Sequence, residues 1–166
     1  MRAAIVPELA ELEARMRPGA FSRVGFLGPD ESLTTVLEND RVEMERLGLT
    51  FAELAEALER LIDAAESSPR RKAKVDGNFT VEVEILTGFQ ICPWAPDPHH
   101  SQCTAGQGVR HASANWRIVN LETGQRLQGP GLIVHLMREH EFLLGCQSPL
   151  RVSPQKLAAL LGLARE

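Results

Sequence analysis

The residues best suited to chemistry are gathered in one part of the chain. All three cysteines (Cys92, Cys103, Cys146) and all five histidines (His99, His100, His111, His135, His140) fall between residues 92 and 146, and the sequence before Cys92 contains neither type. Side chains that served only as core or surface would be scattered. Thiolate and imidazole are good ligands for Zn2+, a borderline-soft ion that imposes no d-electron geometry. The expected cofactor is therefore zinc.

Two segments offer donors. Residues 92–103, from Cys92-Pro93-Trp94 through His99-His100 to Cys103, read as irregular backbone, and a loop of that length needs a reason to be ordered. His135 and His140 lie in His-Leu-Met-Arg-Glu-His on an expected helix. The preferred quartet is Cys92, Cys103, His135 and His140, spaced C-x10-C-x31-H-x4-H. His99, His100 and Cys146 are alternates, and His111 reads as a surface residue beside Arg110. The histidine spacing is awkward: on an ideal helix, residues five apart are rotated by about 140°, against about 40° for four apart. Both rings meet one ion only if the helix deforms between them. The competing interpretation treats the histidines as helix-end residues favoured by the macrodipole and the cysteines as small hydrophobes.

Three functional expectations follow. The first is a structural zinc site tying the irregular loop to the C-terminal helix. The second is a metal-dependent hydrolase with an open zinc position, three protein ligands and Glu139 as general base. Its weakness is that zinc-protease motifs place two histidines four apart around a glutamate, a pattern missing here. Trp94, beside Cys92, is a packing residue or a stacking platform for a ligand. The third is a metal-free module that binds a protein partner or a second copy through the apolar stripe Phe51, Leu54, Leu58 and Leu61.

The elements that must position these residues divide by period. Leu9, Leu12 and Met16 recur at helical spacing before Pro18-Gly19. Pro29-Asp30-Glu31-Ser32 opens a second helix that closes at Gly48, and Thr50 with Glu53 forms a capping box for a third. Arg70, Arg71, Lys72 and Lys74 read as a solvated basic linker. Phe79, Val81, Val83 and Ile85 alternate with polar residues as a strand. Trp116 to Val119 makes a second strand and Gln125 to Gln128 a short third. A helix is expected from about Leu132 to Leu144, ended by Gly145, and Ser153-Pro154 opens the last one. Helices, then a small antiparallel meander, then helices imply an α+β fold. One domain over 1–166 is expected, helical to about residue 68, with the meander, the Cys/His cluster and the C-terminal helices over about 75–166.

The segment Leu47-Gly48-Leu49-Thr50-Phe51-Ala52-Glu53-Leu54-Ala55-Glu56-Ala57-Leu58 resembles the opening helix of helix-turn-helix regulators. That family then requires a glycine-containing turn and a recognition helix. Here Glu59-Arg60-Leu61-Ile62-Asp63 continues the same helix with an acidic face. A net charge of -4 also argues against contact with phosphate backbones, so no nucleic acid is expected. No apolar run has the length of a membrane span. An odd cysteine count in a chain of this length points to the reducing cytoplasm rather than to disulfides.

Overall fold

The computed structural model describes residues 7–96, 103 and 109–163. Within them the fold is α+β, with helices before and after a four-stranded antiparallel sheet. Helices α1 (Leu9–Met16), α2 (Leu33–Leu47) and α3 (Phe51–Glu66) come first. A single 3-10 turn, Pro69–Arg71, leads into strands β1 (Lys72–Val75), β2 (Phe79–Ile85), β3 (Ala114–Asn120) and β4 (Arg126–Pro130). Helices α4 (Leu132–His140) and α5 (Pro154–Leu160) follow.

Local chemistry sets most of the boundaries. The Thr50 side chain accepts from the Glu53 N–H at 3.0 Å, satisfying one of the orphan donors that every helix start leaves open. Ser32 and Ser153 cap α2 and α5 in the same way. Gly48 ends α2 in the left-handed region at φ 71, which costs a residue without a β-carbon nothing.

The strands pair in chain order, β1-β2-β3-β4, so the sheet is a meander. Its register sets Val81 opposite Ile118 and Val83 opposite Trp116. These side chains are buried, whereas Glu82 and Arg117, also directly opposed, face out. Helix α3 packs on β1, β2 and α4. Its stripe Phe51, Leu54, Leu58 and Leu61 is buried in the core and is therefore not an exposed docking face. On the far side, Arg151 donates from both terminal nitrogens to Asp40 of α2 at 2.6 Å and also to the Leu144 carbonyl at 2.7 Å. This bidentate pair fastens the segment after α4 to α2.

Two elements differ from the sequence expectation. The basic stretch is no linker: Lys72 and Lys74 belong to β1, an edge strand whose Ala73 and Val75 are half-buried against the core. Charged residues suit an edge strand because they discourage further pairing. Helix α4 stops at His140 rather than running to Leu144, with Glu141 left-handed at φ 53. Phe142, Leu143 and Leu144 are consecutively and fully buried, and here the chain's polar groups bond to distant partners. The Leu143 carbonyl accepts from Val152 N–H, and the Gly145 N–H donates to the Phe26 carbonyl. Tertiary hydrogen bonds thus replace the last helical turns. No helix of the described residues is long and apolar enough to cross a membrane.

Candidate metal centre

Helix α4 carries two of the four preferred donors, and its end solves their spacing problem. The Glu141 N–H reaches back to both the Leu136 and Met137 carbonyls, and the Phe142 N–H also donates to Leu136 at 3.1 Å. Bonds spanning five and six residues widen the terminal turn, so five residues come closer to a full turn than in a regular α-helix. The His135 and His140 rings consequently meet edge to face, with centroids 5.3 Å apart.

The start of α4 is fixed by a close approach of backbone. A β-carbon at Gly131 would collide with the His111 carbonyl oxygen, so only glycine lets the helix begin against the β3 entry.

The loop after β2 brings the thiols. Leu86 and Gln90 donate to the Ser113 and Ala112 carbonyls, prolonging the β2–β3 hairpin toward Cys92. Beyond Cys92, Arg15 of α1 donates to the Pro93 and Ala95 carbonyls at 2.8 and 2.6 Å. The guanidinium thereby clamps the loop to the N-terminal helix, and the Ala95 N–H closes a turn on the Cys92 carbonyl. Arg15 is a positioning residue with no sequence signature, because nothing local distinguishes it from other helix arginines.

Together these elements gather Cys92, Cys103, His135 and His140, with one donor atom from each lying within 4.8 Å of all the others. The His140 Nε2 is 3.3 Å from Cys92 Sγ and 3.4 Å from Cys103 Sγ. Both cysteines are buried. The His135 Nε2 is buried and has no hydrogen-bond partner among the described residues. An unsatisfied buried polar atom is costly, and a missing ion is a standard reason for one. Contact with Cys103 and then burial hold the Cys92 thiol well above its usual range, while the Trp94 backbone N–H favours its ionised form. Two buried sulfurs side by side resist becoming thiolates unless a cation joins them. Donor types, burial and the orphaned nitrogen are all compatible with a metal site.

The other nominated residues fare differently. His99 and His100 lie outside the described residues. Cys146 is exposed and is not part of the group, because the chain leaves α4 at His140 instead of continuing as a helix toward it. Glu139, next to His140 on α4, is exposed and is not one of the grouped donors. Trp94 lies flat on the His140 ring and edge-on to Phe142, so it packs against a candidate donor.

His111 is the clearest correction. Its side chain is only 2% exposed, with Nδ1 at 2.8 Å from Glu66 and Nε2 at 3.2 Å from Glu59. Asp63 lies 3.4 Å away, and Asp63, Glu66 and His111 are close enough to form a second group with metal-ligating donors. Arg110 and Arg138 already supply countercharge, at 2.9 Å from Asp63 and 3.1 Å from Glu59. We therefore read it as an ion network joining α3, the β3 entry and α4. The carboxylates sit at positions 59, 63 and 66, one face of α3. Their facing partner comes from far along the chain and so left no pattern in the sequence.

Comparison with protein-family models, with curated proteins and with solved structures found no match.

Proposed function

We propose that Cys92, Cys103, His135 and His140 bind one Zn2+ in a closed, structural site that ties the loop after β2 to the end of α4. The observation that carries this reading is the convergence of four donors within 4.8 Å, one of them a buried nitrogen with no other partner among the described residues. Zinc bond lengths of about 2.3 Å to sulfur and 2.0 Å to nitrogen place tetrahedral neighbours about 3.6 Å apart. The separations of 3.3 and 3.4 Å between His140 and the two sulfurs suit that geometry. Four protein donors fill a tetrahedron and leave no position for a reacting water, so the role is structural. Thiols kept for a metal suit a reducing compartment, and we assign the protein to the cytoplasm.

Metal analysis of untagged protein tests this directly, with about one zinc per chain expected. Cys103→Ser and His140→Ala should each release the ion, and Cys146→Ser should keep it. Protein purified without metal, whose melting is indifferent to a chelator, would overturn the proposal. So would loss of zinc from Cys146→Ser with retention in Cys103→Ser.

A further inference from the structure

A concavity lies away from the candidate metal centre, on the outer face of the sheet. It is a cleft of about 370 Å³ between the Pro69–Arg71 turn, the exposed side of β2 to β4 and the Pro149-Leu150 segment. That volume falls in the range of small-ligand sites. Pro149 and Leu150 give it an apolar edge, and its walls are charged.

The charges do not cancel. Lys72 pairs with Glu82 at 3.5 Å. Arg117 stands directly across from Glu82 in the β2–β3 register. The guanidiniums of Arg70, Arg71 and Arg117 have no hydrogen bond or ion pair among the described residues, and Glu84 is the only other carboxylate in the lining. Three unpaired guanidiniums against one carboxylate leave a cationic cleft on a chain whose net charge is -4.

The backbone supplies a second, independent sign. Arg70 and Arg71 are consecutive and both left-handed, at φ 61 and φ 52. A residue with a β-carbon is disfavoured there and glycine is not. Strain of this kind persists where the side chain is needed, and it clusters at ligand sites.

We propose that this cleft binds a small dianion, a phosphate monoester or a dicarboxylate, gripped by Arg70, Arg71 and Arg117. The planar guanidinium fork matches the oxygen pairs of either group, and three forks with one carboxylate balance a charge of -2. Glu84 accepts a hydrogen bond from a hydroxyl or amine on the body of the ligand, which rests against Leu150. The inference is independent of the metal centre.

The test is titration of the isotopically labelled whole protein, followed by NMR at the Asn115 and Gln128 amides and the arginine side chains. Inorganic phosphate and succinate serve as probes, with sodium chloride at matched ionic strength as the control. Saturable shifts confined to the cleft are expected at millimolar probe, and Arg117→Gln should weaken them by about tenfold. Tighter binding of phosphate assigns a phosphate ester, and tighter binding of succinate assigns a dicarboxylate. Arg71→Gly separates ligand binding from folding: it should melt at the same or a higher temperature while losing affinity. The proposal is overturned if chloride produces the same shifts, if neither probe binds, or if Arg117→Gln and Arg71→Gly bind phosphate like the unaltered protein.

Discussion

The indole of Trp94 lies flat on the imidazole of His140, with ring centroids 4.1 Å apart and planes 6° from parallel. Trp94 belongs to the loop that carries Cys92 and His140 ends α4, so the stack joins the two halves of the candidate metal centre. Its edge contact with Phe142 continues that link into the core. The contact restricts the ring that approaches both sulfurs and shields its face from water.

Trp94→Ala should therefore loosen the site without removing a ligand. An aromatic pair contributes about 1 kcal/mol beyond its buried area, which corresponds to roughly fivefold in zinc affinity. Trp94→Phe should recover most of it. Competition with a chromophoric chelator reads the difference, and unchanged affinity in Trp94→Ala would show that the stack does not hold the ligand.

The Cys92 thiol gives the metal-free protein a distinct pH dependence. Its ionisation is shifted upward from 9.0 in the fold, so the folded state retains a proton that the unfolded chain releases. Stability is therefore full below that value and falls as pH rises above it. With zinc bound the thiolate is the ligand, and this alkaline loss should disappear. Denaturant midpoints of metal-free and zinc-loaded protein, measured on both sides of pH 9.0, check the sign. A metal-free protein that gains stability with rising pH would contradict it.

His111→Ala should destabilise the fold while leaving zinc in place. The imidazole is nearly inaccessible and faces Glu59, Asp63 and Glu66. Removing it takes away the group that the three partly exposed carboxylates share, at a cost of up to about 1 kcal/mol. Urea midpoints and metal content measured together decide the matter. Joint loss of stability and zinc would place His111 within the metal centre's support.

Arg151→Ala should be the more damaging substitution. It leaves the Asp40 carboxylate, only 5% exposed, without its bidentate partner. Breaking a buried pair from one side costs about 3–5 kcal/mol. Arg151→Lys should restore only part of this, because an ammonium cannot make both bonds in the same plane. Thermal unfolding of the two variants provides the measure.

The sequence by itself determined the elements whose signals are local. The N-cap at Thr50, the glycine after Leu47, the period of α3 and the alternation in β2 each involve residues a few positions apart, and each is found where it was expected, except that Ile85 at the end of β2 is exposed rather than buried. The α+β order followed from the change of period along the chain. The Cys/His cluster was legible for a different reason: thiols and imidazoles are uncommon enough that their segregation stands out without geometry.

Tertiary structure decided the rest. The strand over Lys72–Val75 exists because β2 offers it a pairing edge, which its own basic composition does not reveal. The early end of α4 depends on backbone partners at Phe26 and Val152, remote in sequence, and that end brings His140 to the thiols while keeping Cys146 out. His111 looked exposed because its three carboxylates belong to a helix more than forty residues earlier. Spacing along a chain fixes which way neighbouring side chains point. Which distant groups will be there to meet them is set by packing, where burial makes an unpaired charge or hydrogen-bonding group expensive.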